Sequence, residues 1–170
     1  MLRFTQKTNT EPDLTLTLSY EQRQKSRQRV VLDNGVEAGL FLQRGVILRE
    51  GDCLSTDAGE VVLIKAAKED VSTVYSDDHL QLSRACYHLG NRHVALQITS
   101  NFVRYQADHV LDELCRGLGL DVRSENAAFE PEAGAYGDFG HLQGHTHEAS
   151  HEHSHPHSNH SHNGSSGHDH

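Results

Sequence analysis

From about Gly137 to His170 the chain is mostly Gly, Ser, Asn and His, with few apolar side chains. Such a segment has nothing to bury, so it cannot join a core. Folding is confined to roughly the first 136 of 170 residues, enough for one domain or for two near the lower size limit. Residues 137–170 are therefore expected to be a disordered, His-rich tail. Eleven of the fifteen histidines lie in it, from His141 onward. Of the other four, His88, His93 and His109 fall within one stretch from Cys86 to His109, and His79 just precedes it.

Charge and cysteine content narrow the class. The net charge is −9 with histidine neutral, and a nucleic-acid binder would show a basic face. The one basic cluster, Arg23 to Arg29, reads as a solvated charged loop or strand edge, with a docking patch for an acidic partner as the alternative. Three widely spaced cysteines, Cys53, Cys86 and Cys115, form no CxxC and suit a reducing cytoplasm better than a disulfide framework. The N-terminus shows no apolar signal region, and no apolar run approaches the ~20 residues of a membrane helix. Neither nucleic acid nor membrane is expected as a partner.

The first 69 residues read as a small all-β domain. Leu14-Thr15-Leu16-Thr17-Leu18 alternates like a half-buried strand. Asn34-Gly35, between Val30-Val31-Leu32 and Val36 to Leu42, predicts a hairpin. Gly45, Gly51-Asp52 and Asp57-Ala58-Gly59 mark further turns, and Val61 to Ile64 a short strand. After Glu69 the pattern changes. Val71 to Tyr75 reads as a strand. A helix capped by Asp77 or Asp78 follows, with Leu82, Ala85, Cys86 and Leu89 on one stripe and Gly90 as its left-handed C′ residue. Strands at Val94 to Ile98 and Phe102 to Tyr105, a helix capped by Asp108, and a last strand at Leu120 to Val122 complete a β-α-β-β-α-β order. That is the split βαβ, ferredoxin-like arrangement. The expected organisation is thus α+β: 1–69 β-rich, 70–136 ferredoxin-like and metal-binding, 137–170 tail, with Glu130 to Gly137 as a linker.

Imidazole carries the chemistry. Neutral imidazole suits nickel, copper, zinc and cobalt, and suits magnesium or calcium poorly. The candidate ligands in the tail are His141, His145, His147, His151, His153, His155, His157, His160, His162, His168 and His170. Purification tags are uninterrupted runs, whereas Ser, Glu, Pro, Asn and Asp break this one. A lone His93 cannot hold a divalent ion tightly, but a two-fold axis would bring two copies of it together. His88 and His109 are further candidates, each equally readable as a surface residue; His79 reads as an exposed helix residue. Cys86 and Cys115 read as buried structural thiols. No HExxH, GxSxG or Walker-type loop is present, and no acid, base and nucleophile assemble, so no enzyme is expected.

Three segments together are distinctive: Cys86-Tyr87-His88-Leu89-Gly90-Asn91-Arg92-His93-Val94, Tyr105-Gln106-Ala107-Asp108-His109-Val110-Leu111, and Phe129-Glu130-Pro131-Glu132-Ala133-Gly134-Ala135-Tyr136. They closely resemble the UreE family of urease accessory proteins, as do Arg44-Gly45 and Gly51-Asp52-Cys53-Leu54. The resemblance covers residues 1–137. It implies a nickel metallochaperone whose N-terminal domain is akin to a chaperone peptide-binding domain. It further implies a homodimer sharing Ni(II), as cargo, between the two copies of His93, and delivery to apo-urease with the urease accessory GTPase and the other accessory proteins. Zn(II), Cu(II) or Co(II) would also bind in vitro. Some relatives carry His-x-His where this chain has Ala107-Asp108-His109, so only His109 remains there.

The competing reading is a His-rich buffer or storage protein that sequesters nickel, zinc or copper. The carrier reading sets one expectation for the tail. Truncation after Tyr136 leaves the fold intact, cuts the number of bound nickel ions and spares one tight site per dimer. Circular dichroism and calorimetric titration check this; unfolding, or loss of every site, would contradict it.

Overall fold

A computed structural model describes residues 1–133, so the tail with its eleven histidines lies outside the described residues. The first half builds one sheet from β1 (Leu2–Thr8), β2 (Leu14–Leu18), β3 (Arg27–Val31), β4 (Glu37–Phe41), β5 (Cys53–Thr56) and β6 (Val61–Ala66). Spatial order is β2-β6-β5-β1-β4-β3, with β1/β4 and β2/β6 parallel and the other pairs antiparallel. Alternation supplies the core: Phe4, Leu16, Leu18, Leu40, Leu54, Val62 and Ile64 point inward and are buried together. The two edge strands, β2 and β3, approach each other through Asp33. Its carboxylate accepts from the Thr15 hydroxyl (2.6 Å), the Thr17 amide (2.9 Å) and the Thr17 hydroxyl (3.0 Å), and its own amide donates to the Thr15 carbonyl (3.0 Å). The sheet thus nearly closes on itself. The predicted hairpin is present, with Gly35 at φ 88°.

The second half runs β7 (Lys68–Tyr75), α2 (His79–Gly90), β8 (Gln97–Ile98), β9 (Phe102–Gln106), α3 (His109–Gly117) and β10 (Val122–Ala128), where α1 is the single turn Tyr20–Arg23. Its four strands form an antiparallel sheet in the order β10-β7-β9-β8. Leu82, Ala85 and Leu89 of α2 and Leu111 and Cys115 of α3 pack with Val74, Val103 and Tyr105. Both helices start where the sequence places them, because the Asp78 and Asp108 side chains each accept two orphan amides of the first turn. Only Ala67 separates β6 from β7.

Several expectations need correction. The sequence marks neither β1 nor β5 as a strand. The expected strand Val94 to Ile98 shrinks to Gln97–Ile98, and the last strand is longer and later than Leu120 to Val122. The basic run is not a uniform solvated loop: Arg27 and Arg29 are exposed on β3, whereas Arg23 is completely buried. Finally, Glu130-Pro131-Glu132 is not a free linker.

Those last two corrections have one cause. The Arg23 guanidinium donates to the carbonyls of Phe129 (2.5 Å) and Leu48 (3.3 Å) and pairs with Glu130. Arg49 donates to the Pro131 carbonyl and lies 3.7 Å from Glu130. The Tyr20 ring meets the buried Phe129 ring edge-on at 5.4 Å. The chain after β10 is therefore a strap held against the N-terminal domain. A buried cation must be paired, and removing one partner of such a pair is costly. Arg23→Met leaves two buried carbonyls without a donor, so it is expected to lower stability by about 3 kcal/mol. Chemical denaturation measures this; a change within the noise of a surface substitution would remove the strap from the stability account.

Candidate metal centre

The left-handed residue at the end of α2 is not the expected glycine. Gly90 is still helical, the C-cap Asn91 is right-handed, and the chain reverses at His93, whose φ is 57°. His93 is the one non-glycine residue with positive φ among the described residues. Its amide donates to the Gly90 carbonyl at 2.9 Å. Histidine is among the few side chains enriched in this region, yet the conformation still costs free energy. The side chain projects from a tight turn and is exposed.

The antiparallel register gathers the other candidates at the same end of the sheet. Gln97 lies opposite Arg104, and Val71 opposite Gln106. The approach to β8, the exit of β9 and the C-terminus of α2 therefore share one end, and with them His93, His109 and His88. His109 is exposed at the first position of α3. His88 is half-buried, and its ring sits edge-on to Tyr87 at 5.3 Å. His79 begins α2 and lies at the opposite end, a helix length of ~18 Å away.

The strap reaches this end as well. The Glu132 amide donates to the Leu96 carbonyl at 2.7 Å, and the Glu130 amide to the Gln97 side chain at 3.1 Å. In the phase set by the Thr99–Phe102 bond the Leu96 carbonyl faces away from β9, so the returning chain bonds the outer edge of β8. It also brings Glu132, nine residues before His141 in sequence, to a residue three positions from His93. Sequence reasoning missed this contact because Glu-Pro-Glu resembles a linker; the buried Phe129 just before it was the available signal.

The thiols are poor ligands here. Burial pushes the Cys115 thiol up, as does the nearby Asp112 carboxylate, against the opposing effects of Tyr105 and Arg116. Burial also raises Cys86. Both thiols stay protonated, and metals bind the thiolate. The Tyr105 hydroxyl, itself held protonated by burial, donates to Asp112 at 2.9 Å and serves packing. Among the described residues no three His, Cys, Asp or Glu side chains converge to hold a metal. His141 to His170 lie outside those residues. No helix among the described residues is long and apolar enough to cross a membrane.

Comparison with known proteins gives two family matches, which together span nearly all of the chain. The family described as "UreE urease accessory protein, N-terminal domain" matches residues 2–67, and "UreE urease accessory protein, C-terminal domain" matches residues 69–170. Curated relatives named urease accessory protein UreE include one from Alkalilimnicola ehrlichii, 63% identical over 74% of this chain and 77% of its own length. One from Vibrio parahaemolyticus is 51% identical over 86% and 97%, and one from Proteus mirabilis 59% identical over 76% and 81%.

The backbone at His93 yields a test separable from metal binding. His93→Gly is expected to be about 1 kcal/mol more stable than His93→Ala, because only glycine escapes the left-handed penalty. Urea unfolding compares them; equal midpoints would place residue 93 outside that region in solution.

Proposed function

The chain belongs to the UreE family of urease accessory proteins, and on that premise we propose that it carries Ni(II) in the cytoplasm to apo-urease, handing it over within a complex that includes the urease accessory GTPase. We read residues 1–69 as a peptide-binding-like domain, 70–136 as a ferredoxin-like metal-binding domain and 137–170 as the His-rich tail. The strand order β10-β7-β9-β8, with both helices in one core, supports the middle assignment.

The single observation that carries the nickel reading is His93, exposed at a strained turn, with Glu132 bonded three residues along the chain at Leu96. One imidazole is too few. A two-fold homodimer through the second domain supplies a second copy of His93, and tail histidines supply further nitrogens. Chain length permits this: His141 is eight residues beyond Ala133, a span of at most about 29 Å. His109, at the same end of the sheet, is an auxiliary ligand. Ligands beyond the fixed pair exchange readily, and a carrier must both take up and release its ion. The tail histidines, His141, His145, His147, His151, His153, His155, His157, His160, His162, His168 and His170, add reversible capacity.

Urease activation at limiting nickel distinguishes this from a buffer. His93→Ala is expected to abolish delivery with the tail intact, whereas His79→Ala, at the far end of α2, leaves it unchanged. Equal effects of the two substitutions would remove His93 from the centre. Full activation by His93→Ala would leave sequestration by the tail as the function.

A further inference from the structure

The exposed arginines of β3 have no part in the metal reading. Strand β3 is an edge of its sheet. The Leu42 amide donates to Ser26 (2.7 Å) and the Leu32 amide to Val36 (2.9 Å). With Arg29 opposite Gly39, that phase commits Gln28 and Val30 to β4 and turns the N–H and C=O groups of Arg27, Arg29 and Val31 outward. Beyond Asp33 the gap to β2 widens into an open cavity of about 400 Å³, whose lining includes Leu18, Val30, Val31 and Ala38. Val31 is 59% exposed at its rim.

The outer face beside this edge is basic. Arg29, Gly39 and Arg3 lie in one row across β3, β4 and β1, and Arg27 lies opposite Phe41 in the next. The Phe41 ring covers Gly39, where a Cβ would come within 2.6 Å of it, and the Arg3 guanidinium stacks on that ring at 4.3 Å. Three arginines thus surround one aromatic ring in a chain of net charge −9. The nearby acids are Glu37, one row further along, and Asp57, which accepts from the Thr5 hydroxyl on β1.

We propose that this edge is a docking surface for an acidic, extended segment of a partner protein, which adds to β3 as a new strand. The groups of Arg27, Arg29 and Val31, unpaired among the described residues, supply the backbone bonds. Side chains of a strand alternate, so carboxylates at every second position of the guest meet Arg27 and Arg29, and the apolar residue next along, level with Val30, enters the cavity. A second copy of this chain is the wrong guest, because two β3 edges would set arginine against arginine. The proposal does not depend on His93 or on nickel.

The test uses the full chain, isotopically labelled, with a short peptide alternating Glu and Val. The expected result is binding, with slowed hydrogen exchange at the Arg29 and Val31 amides. The double variant Arg27→Glu, Arg29→Glu should weaken binding by about tenfold or more, as expected when complementary charges are reversed, with an unchanged unfolding midpoint. A peptide N-methylated along one edge keeps the charge but cannot pair, and should not bind. Absence of binding, undiminished binding by the double variant, or equal binding of the N-methylated peptide would each overturn the proposal. Equal or tighter binding of a single-stranded oligonucleotide would overturn it too, leaving a general polyanion patch.

Discussion

One buried guanidinium organises the relation between the two halves of this molecule. Arg23 is inaccessible to solvent and bonded to groups more than a hundred residues away along the chain. A charge in that position is stable only while Glu130 and the carbonyls of Phe129 and Leu48 surround it. The strap it holds also bonds Leu96 and Gln97. An interaction in the N-terminal domain therefore fixes the backbone that leads away from His93.

His93 shows how local sequence and long-range structure divide the work. The helix before it is set locally, by the Asp78 cap and the buried stripe of Leu82, Ala85 and Leu89. How the helix ends is not: a glycine three residues earlier offered the standard left-handed stop, and the chain bypassed it. The strained position falls instead on the residue with the metal-binding side chain. Such outliers persist where surrounding structure over-determines them. Here the Gly90 carbonyl on one side and the Glu132 bond to Leu96 on the other hold the turn.

The same division explains what the sequence revealed. Caps, stripes and the Asn-Gly turn are contiguous signals, and they placed both helices, the hairpin and the β-rich first half. The family and the histidine chemistry were legible for the same reason, since the motifs are short. What stayed hidden depends on partners distant in the chain. Leu2 to Thr8 has no flanking turn signal at its start, and it is a strand because β4 and β5 flank it on both sides. Arg23 looks like its exposed neighbours Arg27 and Arg29 until Glu130 is brought beside it. Glu130-Pro131-Glu132 looks like a linker until two arginines claim it.

The single-residue joint at Ala67 has a mechanical consequence. Alone, a one-residue junction is a hinge, and two small domains about it would sweep through a continuum of angles. The strap ties them at a second point, so any rotation must first tear the Arg23 cluster open. Such a linkage resists small torques stiffly and yields abruptly once the charge is bared. In mechanical terms the strap is a latch rather than a spring, since opening it requires the Arg23 bonds to break together.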